Sequence, residues 1–293
     1  MFSMKTIFIV VLSVRSNGDI WAVLVAGSRG YQNYRHQADL CHTQLLLRTR
    51  GILDERLLSI SVDDAAYSVL NPFPGQLFNA PSMRKGKNVH DGCNLTLSGS
   101  QVKLSSFKRL FSPPPADTNS SSQRLRSTAR DNVFMSFVDH GCCQRLLFPD
   151  GSLSADELST IIWSMAARSQ FRRLLIFVEA CQSGSMFESN ILPPNVLAIT
   201  ASNASEASWG VFCPSNDDLI AGKHIGTCLG DMFSVSWMNI LGSGEEELGH
   251  FLMKVSRVNI KSQVNFYGDS KLLNLPVSEF FGVEVEDSSI VLA

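Results

Sequence analysis

Asn132-Val-Phe-Met-Ser-Phe-Val-Asp-His-Gly141 is the stretch from which the fold can be worked out. Most of its first seven residues are apolar, which is typical of a buried strand. The strand ends at Asp139, His140 and Gly141, so an imidazole and a residue without a side chain follow it directly. Parallel α/β sheets place their sites beyond the carboxyl ends of their strands, so this pattern favours a site at that edge.

A second apolar run, Leu174-Leu-Ile-Phe-Val178, ends in the same way and leads to Glu179-Ala-Cys181. Between the two runs, Ser154-Ala-Asp-Glu157 has the form of a capping box and predicts a helix that runs to about Arg168. Parallel strands require such a crossover. The two runs are therefore predicted to be neighbouring parallel strands, with His140 and Cys181 at the same edge.

The chain on either side repeats the alternation of strands and helices. We predict strands at Ile20–Ala26, Leu57–Val62 and Val196–Thr200, and a helix over Arg35–Arg50 that stops at Gly51. This order predicts one α/β domain over residues 18–285 with a mostly parallel sheet. Residues 112–130 are rich in proline, serine and asparagine and are predicted to form a mobile surface loop.

Composition excludes some classes of protein. Of the 293 residues, 44% are hydrophobic and 18% charged, and the net charge of -2 gives no electrostatic reason to expect nucleic acid as a partner. Residues 1–17 contain one lysine and a short apolar run, which predicts a signal peptide rather than a membrane span. The alternative is a buried first strand, because no small-x-small cleavage site precedes Arg15. No later run is long enough to cross a membrane.

Seven cysteines are an odd number, so at least one thiol stays free. Their spacing is neither that of a disulfide framework nor that of a paired zinc site, and it leaves the pairing open. Three sequons begin at Asn94, Asn119 and Asn203, and they would accept glycans in the secretory pathway. They give that route only weak support, because the tripeptide is common by chance.

Cys181 and His140 are the residues that carry chemistry. Either alone is more often structural, but together at neighbouring strand ends they can form a thiol and its base although 41 positions separate them. An unperturbed thiol, with a pKa of about 8.5, is mostly protonated near neutrality and needs such a base. Gly141 lets the backbone amide beside His140 approach a developing oxyanion, as does the amide of Cys181.

Other candidate motifs are weaker. Ser28-Arg-Gly30 lacks the lysine and the spacing of a phosphate-binding loop. His36 and His42 lie six positions apart, so they do not share a helix face as a zinc-binding pair would, and a structural role is the better interpretation. The sequence predicts no metal site and no cofactor.

The motifs around these residues resemble those of the legumains, the asparaginyl endopeptidases or vacuolar processing enzymes of peptidase family C13. They occur in the family's order over about residues 20–240. The matching segments are Trp21-Ala-Val-Leu-Val-Ala-Gly27, Asn33-Tyr-Arg-His-Gln-Ala-Asp39 with Cys41-His42, Asp63-Asp-Ala-Ala-Tyr67, Asn71-Pro-Phe-Pro-Gly75, Phe137-Val-Asp-His-Gly141, Val178-Glu-Ala-Cys-Gln-Ser-Gly-Ser-Met186, Thr200-Ala-Ser-Asn203 and Leu229-Gly-Asp-Met-Phe-Ser-Val-Ser-Trp237.

The resemblance implies a caspase-like αβα sandwich and a Cys181–His140 dyad whose histidine is oriented by Asn33. It also implies a substrate pocket, and the pocket residues are Arg35, Glu179, Asp231 and, at its wall, Ser208. An asparagine side chain offers one acceptor and two N–H donors. An arginine that donates and two carboxylates that accept would therefore suit it.

The implied reaction is hydrolysis of peptide bonds after asparagine, and after aspartate at acid pH where its carboxyl is protonated. Ligation would follow if an amine outcompeted water. The implied partners are proteins or peptides with an exposed asparagine and cystatin-type inhibitors. The implied location is the secretory pathway, ending in an acidic vacuole or lysosome or outside the cell.

Two departures from the family pattern leave alternatives open. Cys142 and Cys143 stand where small residues are usual, so they would tune substrate access or oxidise with Cys181. No inhibitory prodomain is visible after Trp237, so either the chain is truncated or the enzyme lacks that form of zymogen control. The alternative functions are the catalytic subunit of a glycosylphosphatidylinositol transamidase and an inactive homologue that acts as a binding module.

Overall fold

Six strands form the central sheet of the protein. The computed structural model describes residues 18–284 except 83–85, 114–122, 216 and 242–245. The sheet strands are β1 (Ile20–Ala26), β2 (Leu57–Ser61), β3 (Asn132–Val138), β7 (Arg173–Glu179), β8 (Val196–Thr200) and β13 (Asn265–Gly268). Short strands lie outside this sheet: β4 (Gly141–Cys142), β5 (Arg145–Phe148), β6 (Gly151–Ser154), β9 (Gly210–Val211), β10 (Leu219–Ile220), β11 (Lys223–His224) and β12 (Gly230–Asp231).

The strand order is β13-β8-β7-β3-β1-β2, and every pair is parallel except the antiparallel pair of β13 with β8. The register aligns Ala26 of β1 with Val138 of β3, and Val138 with Glu179 of β7. The three strands therefore end side by side, which confirms that His140 and Cys181 follow neighbouring parallel strands.

Helices cover both faces of the sheet. The α-helices are α1 (Tyr34–Thr49), α2 (Leu104–Leu110), α3 (Ala155–Ala167), α4 (Met232–Ile240), α5 (Leu248–Val258) and α6 (Ser278–Phe281). Residues of β1 alternate between two apolar clusters, because successive strand side chains point to opposite faces. Ala22 and Leu24 pack with α1, α4, α5 and α6, whereas Val23 and Val25 pack with α2 and α3. The result is the predicted αβα sandwich.

Local signals in the sequence set the ends of the helices. The predicted capping box is present, because the Glu157 N–H donates to Ser154 Oγ at 3.2 Å and the Ser154 N–H donates to Glu157 Oε2 at 2.9 Å. Helix α3 and helix α1 begin and end within one residue of their predicted bounds.

Four of the seven cysteines form disulfides, which pair Cys41 with Cys93 and Cys213 with Cys228. Cys142, Cys143 and Cys181 are free thiols. The first disulfide ties α1 to the loop after β2. The second closes the loop that precedes β12, so it braces the segment that carries Asp231.

Two predictions fall wholly or partly outside the described residues. The predicted signal peptide, 1–17, lies outside them, as does 114–122 of the predicted mobile loop. The described remainder of that loop contains no helix or strand, but Leu125 is buried and its N–H donates to the Leu110 carbonyl. Within the described part of the chain, no helix is both long and apolar enough to span a bilayer.

Candidate active site

Cys181 lies in a tight turn just past the end of β7. Gln182 follows it in the left-handed conformation, with φ of 53°, and a 3₁₀ helix begins at Ser183. The turn leaves the thiol half-buried, with Sγ at 3.8 Å from the Ser208 carbonyl oxygen and 3.9 Å from Ser208 Oγ. Ser208, predicted as a pocket-wall residue, is therefore next to the predicted nucleophile.

His140 is held by Asn33, as the resemblance implied. His140 Nε2 lies 2.8 Å from Asn33 Oδ1, and Asn33 Nδ2 donates to the Arg29 carbonyl at 2.9 Å. Because a backbone carbonyl only accepts, the amide of Asn33 must present its oxygen to the imidazole. Nε2 of His140 therefore carries the proton of the neutral ring, and Nδ1 keeps a lone pair with which to act as a base.

Asn33 stands at the N-cap of α1, where an asparagine side chain ordinarily accepts from the first-turn N–H groups. Here the side chain makes no such cap bond. Its carbonyl oxygen is directed to His140 instead, so helix capping is given up in favour of orienting the imidazole.

Glycine is the only residue type that fits at position 141 without a shift of the backbone. A Cβ at Gly141 would stand 2.4 Å from the Cys181 carbonyl oxygen. The hairpin that begins there is also fixed at its turn, where the Gln144 N–H donates to Ser185 Oγ at 2.8 Å. Cys142 and Cys143 lie between these two contacts in the sequence and are exposed free thiols.

Arg35, Glu179 and Asp231 come together at the end of β7, the strand that leads into Cys181. Arg35 Nε donates to Asp231 Oδ1 at 2.8 Å, and Glu179 Oε2 accepts from the N–H of Ser234 at 2.8 Å and from its Oγ at 3.1 Å. The second oxygens of the two carboxyl groups, Glu179 Oε1 and Asp231 Oδ2, are buried and have no hydrogen-bond partner among the described residues. A guanidinium and two carboxyl oxygens without hydrogen-bond partners are thus gathered in one cluster.

Sequence reasoning missed Asp39, a third carboxyl group in this cluster. Asp39 is fully buried and accepts from Asn79 Nδ2 at 2.7 Å and from the Asp231 N–H at 2.9 Å. The Asp39 carboxyl group therefore fixes the position of the Asp231 backbone by this hydrogen bond. Burial raises the pKa of Asp39, Glu179 and Asp231 above their usual values, so protons are retained in the cluster.

His36, for which the sequence favoured a structural role, lies between the dyad and the pocket. Its Nδ1 is 2.6 Å from Ser28 Oγ, its Nε2 is 3.5 Å from Asp231 Oδ2, and its ring centroid is 5.1 Å from that of His140. Burial lowers the pKa of His36 well below its usual value, so the ring is neutral. The sequence signal was its place next to Arg35 on α1.

His36, Asp139 and His140 bring possible metal-ligating atoms within 4.8 Å of one another. Each residue already makes a hydrogen bond: His36 Nδ1 with Ser28, Asp139 Oδ1 with the His140 N–H at 2.6 Å, and His140 Nε2 with Asn33, while Asp139 Oδ2 has no hydrogen-bond partner among the described residues. These bonds favour a hydrogen-bonded set over a metal centre.

Burial, and then the charge of Arg35, lower the pKa of His140. The lowered pKa favours the neutral form of the imidazole, which can act as a base.

We expect the melting temperature to fall as the pH rises from about 6.5 to about 8. Burial raises the pKa of Asp139 to about 8, so over this range the folded state keeps a proton that the unfolded state has lost. Each pH unit then favours unfolding by about 1.4 kcal/mol for such a group. Below about 6.5 the unfolded histidines bind protons that buried His36 does not, which acts in the opposite direction.

The matched variant is Asp139→Asn, which has the shape of the protonated carboxyl and does not titrate. Thermal denaturation followed by circular dichroism should give a flatter dependence on pH for the variant than for the wild type. Parallel curves would mean that Asp139 is ionised throughout this range.

Comparison with known proteins agrees with this geometry. The sequence model of the peptidase C13 family matches residues 20–283, which include the dyad and the whole carboxylate cluster. The chain belongs to the peptidase C13 family. Hemoglobinase of Schistosoma mansoni is 37% identical over 281 residues, and the match covers 94% of this chain and 62% of the relative. The delta-isozyme of vacuolar-processing enzyme of Arabidopsis thaliana is 35% identical over 285 residues, covering 94% and 60%.

This C13 chain thus spans about three fifths of the length of these two curated relatives. Its fold is also that of a more distant protein. The crystal structure of caspase-1 from Spodoptera frugiperda superposes with a TM-score of 0.51 over 92% of this chain and 94% of the other, at 12% sequence identity. That likeness confirms the caspase-like fold.

Proposed function

We propose that this chain is a cysteine endopeptidase that hydrolyses peptide bonds on the carboxyl side of asparagine. The observation that carries the proposal is the set of polar atoms without hydrogen-bond partners at the end of β7, the strand that leads into Cys181. A guanidinium with N–H donors stands next to two buried carboxyl groups, each with one unpartnered oxygen. A carboxamide offers one acceptor oxygen and two N–H donors, so an asparagine side chain would satisfy Arg35, Glu179 and Asp231 together.

The proposed reaction begins when His140 Nδ1 takes the proton of the Cys181 thiol. The thiolate attacks the main-chain carbonyl carbon of the bound asparagine, and the N–H groups of Gly141 and Cys181 stabilise the oxyanion. His140 then protonates the leaving amine as the C–N bond breaks, which leaves a thioester on Cys181. Water, deprotonated by His140, cleaves the thioester and restores the thiol.

An incoming amine in place of water would give peptide ligation from the same thioester. Substrates with aspartate should be cleaved only in acid. An ionised aspartate would be repelled by the carboxyl groups of the pocket, whereas a protonated aspartate resembles asparagine. A glutamine is one methylene longer, and we expect the pocket to exclude it.

We propose that the protein works in the secretory pathway, in an acidic vacuole or lysosome or outside the cell. Two disulfides support an oxidising compartment. The name of the Arabidopsis thaliana relative, a vacuolar-processing enzyme, supports a vacuolar site. The names of the relatives also favour a peptidase over the transamidase and inactive-homologue alternatives. Proteins with exposed asparagine and cystatin-type inhibitors remain the proposed partners.

The test is fluorophore release from Ala-Ala-Asn, Ala-Ala-Asp and Ala-Ala-Gln peptides between about pH 4 and pH 7, with reductant present. We expect cleavage of the asparagine peptide across the range and of the aspartate peptide only towards its acid end. The glutamine peptide should be cleaved roughly 10²-fold less efficiently or worse, since a misfit in a buried pocket leaves polar groups unpaired. Equal rates for asparagine and glutamine would contradict the proposed pocket.

A further inference from the structure

We propose that Asp64 is a positioning residue for the dyad, which fixes His140 through the turn that carries Asn33. The proposal rests on the proposed function. Asp64 follows β2, a strand that contributes neither the thiol, the imidazole nor the pocket. Its carboxylate nevertheless accepts from the Gly30 N–H at 2.8 Å and from Gln37 Nε2 at 2.7 Å.

These two bonds clamp the turn between β1 and α1 at both of its ends. Gly30 lies before the 3₁₀ helix Tyr31–Asn33, whereas Gln37 lies in the first turns of α1. Gln37 completes the clamp because its Oε1 accepts from the Ala65 N–H at 3.1 Å. The turn that contains Asn33 is therefore held between two points attached to the same short segment, 64–65.

The clamp is connected to His140 by a short series of bonds. The Asn33 N–H donates to the Gly30 carbonyl at 2.9 Å, so the backbone of Asn33 moves with Gly30. Asn33 Nδ2 donates to the Arg29 carbonyl and Asn33 Oδ1 lies 2.8 Å from His140 Nε2. Gly30 has a φ of 86°, a conformation that only glycine adopts readily. Because glycine also adopts many other conformations, bonds from outside the turn are needed to keep its shape.

Only a group with two acceptors suits this position. Both Asp64 oxygens face N–H donors, so an amide in the same place would direct its NH₂ group at one of them. Asp64→Asn keeps the shape of the side chain but loses one bond of the clamp. A displacement of a catalytic group by about 1 Å can cost about 10² in rate, so we expect kcat to fall by up to about 10²-fold.

The pocket should be affected less than the dyad: Arg35 lies inside the clamped segment, but its Nε is anchored separately by Asp231 at 2.8 Å, and the Glu179–Ser234 bond lies outside the segment. We therefore expect KM for the asparagine peptide to stay within about twofold of the wild-type value, because the variant loses orientation of the catalytic group and keeps most of the substrate binding. A general loss of stability would instead lower the fraction of folded enzyme, which the melting curve reports.

The chain offers a rescue variant. In Asp64→Asn with Gln37→Glu, the amide at position 64 can donate to the carboxylate at position 37. The carboxylate still accepts from the Ala65 N–H, and the amide oxygen still accepts from Gly30, so all three bonds are kept with one reversed. We expect the double variant to recover kcat by about tenfold or more relative to Asp64→Asn.

The matched control is Asp63→Asn, the same change one residue earlier. Asp63 bonds to His90 Nε2 at 2.8 Å, away from Gly30 and α1, and its φ of 63° is one that asparagine tolerates well. We expect its kcat to stay within about twofold of the wild type. An Asp64→Asn kcat equal to that of this control would overturn the proposal, as would a folded double variant without recovery.

A second readout separates this proposal from the proposed function. The rate at which iodoacetamide alkylates Cys181, resolved from Cys142 and Cys143 by peptide mass spectrometry, reports the dyad without any peptide substrate. We expect Asp64→Asn to slow alkylation of Cys181 and the double variant to restore it, even if no peptide is cleaved. An unchanged alkylation rate in Asp64→Asn would overturn the positioning role whatever the substrate.

Discussion

Replacing Cys181 by serine is expected to lower kcat/KM for the asparagine peptide by roughly 10⁵-fold or more. Serine keeps the size of the side chain, so the turn at Gln182 and the contact with Ser208 should persist. A hydroxyl is far harder to deprotonate than a thiol, and the imidazole of His140 is basic enough to take a proton from a thiol but not readily from a hydroxyl. The measurement is peptide hydrolysis at high enzyme concentration, with the fold checked by circular dichroism.

The matched control is Cys143→Ser, the same exchange at an exposed free thiol of the neighbouring hairpin. Its activity should stay within the same order of magnitude as that of the wild type. Activity that survives in Cys181→Ser and is lost in Cys143→Ser would show that the nucleophile has been wrongly assigned.

Replacing Arg35 by alanine is expected to lower kcat/KM for the asparagine peptide by about 10²–10³-fold. Its Nε–Asp231 bond sits among carboxyl groups that are almost fully buried. The substrate loses the charged donor proposed for its side-chain oxygen, and removing one partner of such a buried contact between two molecules costs about 2–5 kcal/mol, where each 1.4 kcal/mol is about tenfold. Arg35→Lys should recover little, because an ammonium group lacks the forked donors of a guanidinium.

Steady-state kinetics on the three peptides measures this effect, and Arg29→Ala is its control. Arg29 is exposed in the turn before Asn33 and contributes its backbone carbonyl to the site, so its side chain is dispensable by this account. A folded Arg35→Ala protein that cleaves the asparagine peptide within a few-fold of the wild type would exclude Arg35 from the pocket.

Much of this site could be predicted because its residues follow strands. The apolar run before His140 and the one before Cys181 fix two strand ends, and parallel pairing then places both side chains at one edge. The resemblance supplied Asn33, Arg35, Glu179 and Asp231, and the structure brings these together around the dyad. Their roles stay predictions until the variants are made.

Other features could not be predicted because they depend on packing between distant segments. Asp39 reads as one polar residue on an amphipathic helix, and only the position of β12 shows that it holds the Asp231 backbone. Asp139 reads as a loop residue, yet it is buried. The edge strand β13 is short, and its antiparallel pairing with β8 is decided by where the chain returns after α5. The disulfide partners were equally undetermined by spacing.

The alignment of Ala26, Val138 and Glu179 across three strands also bears on how the protein reaches its active form. Strand β3 pairs with both β1 and β7, and more than a hundred residues separate the paired positions of β1 and β3. Parallel pairing between segments so far apart in sequence is slow to form. Cys181 meets His140 and Asn33 only when all three strands are in place. A nascent or partly folded chain therefore has no assembled dyad, so the proposed peptidase activity depends on the whole of this part of the sheet having formed.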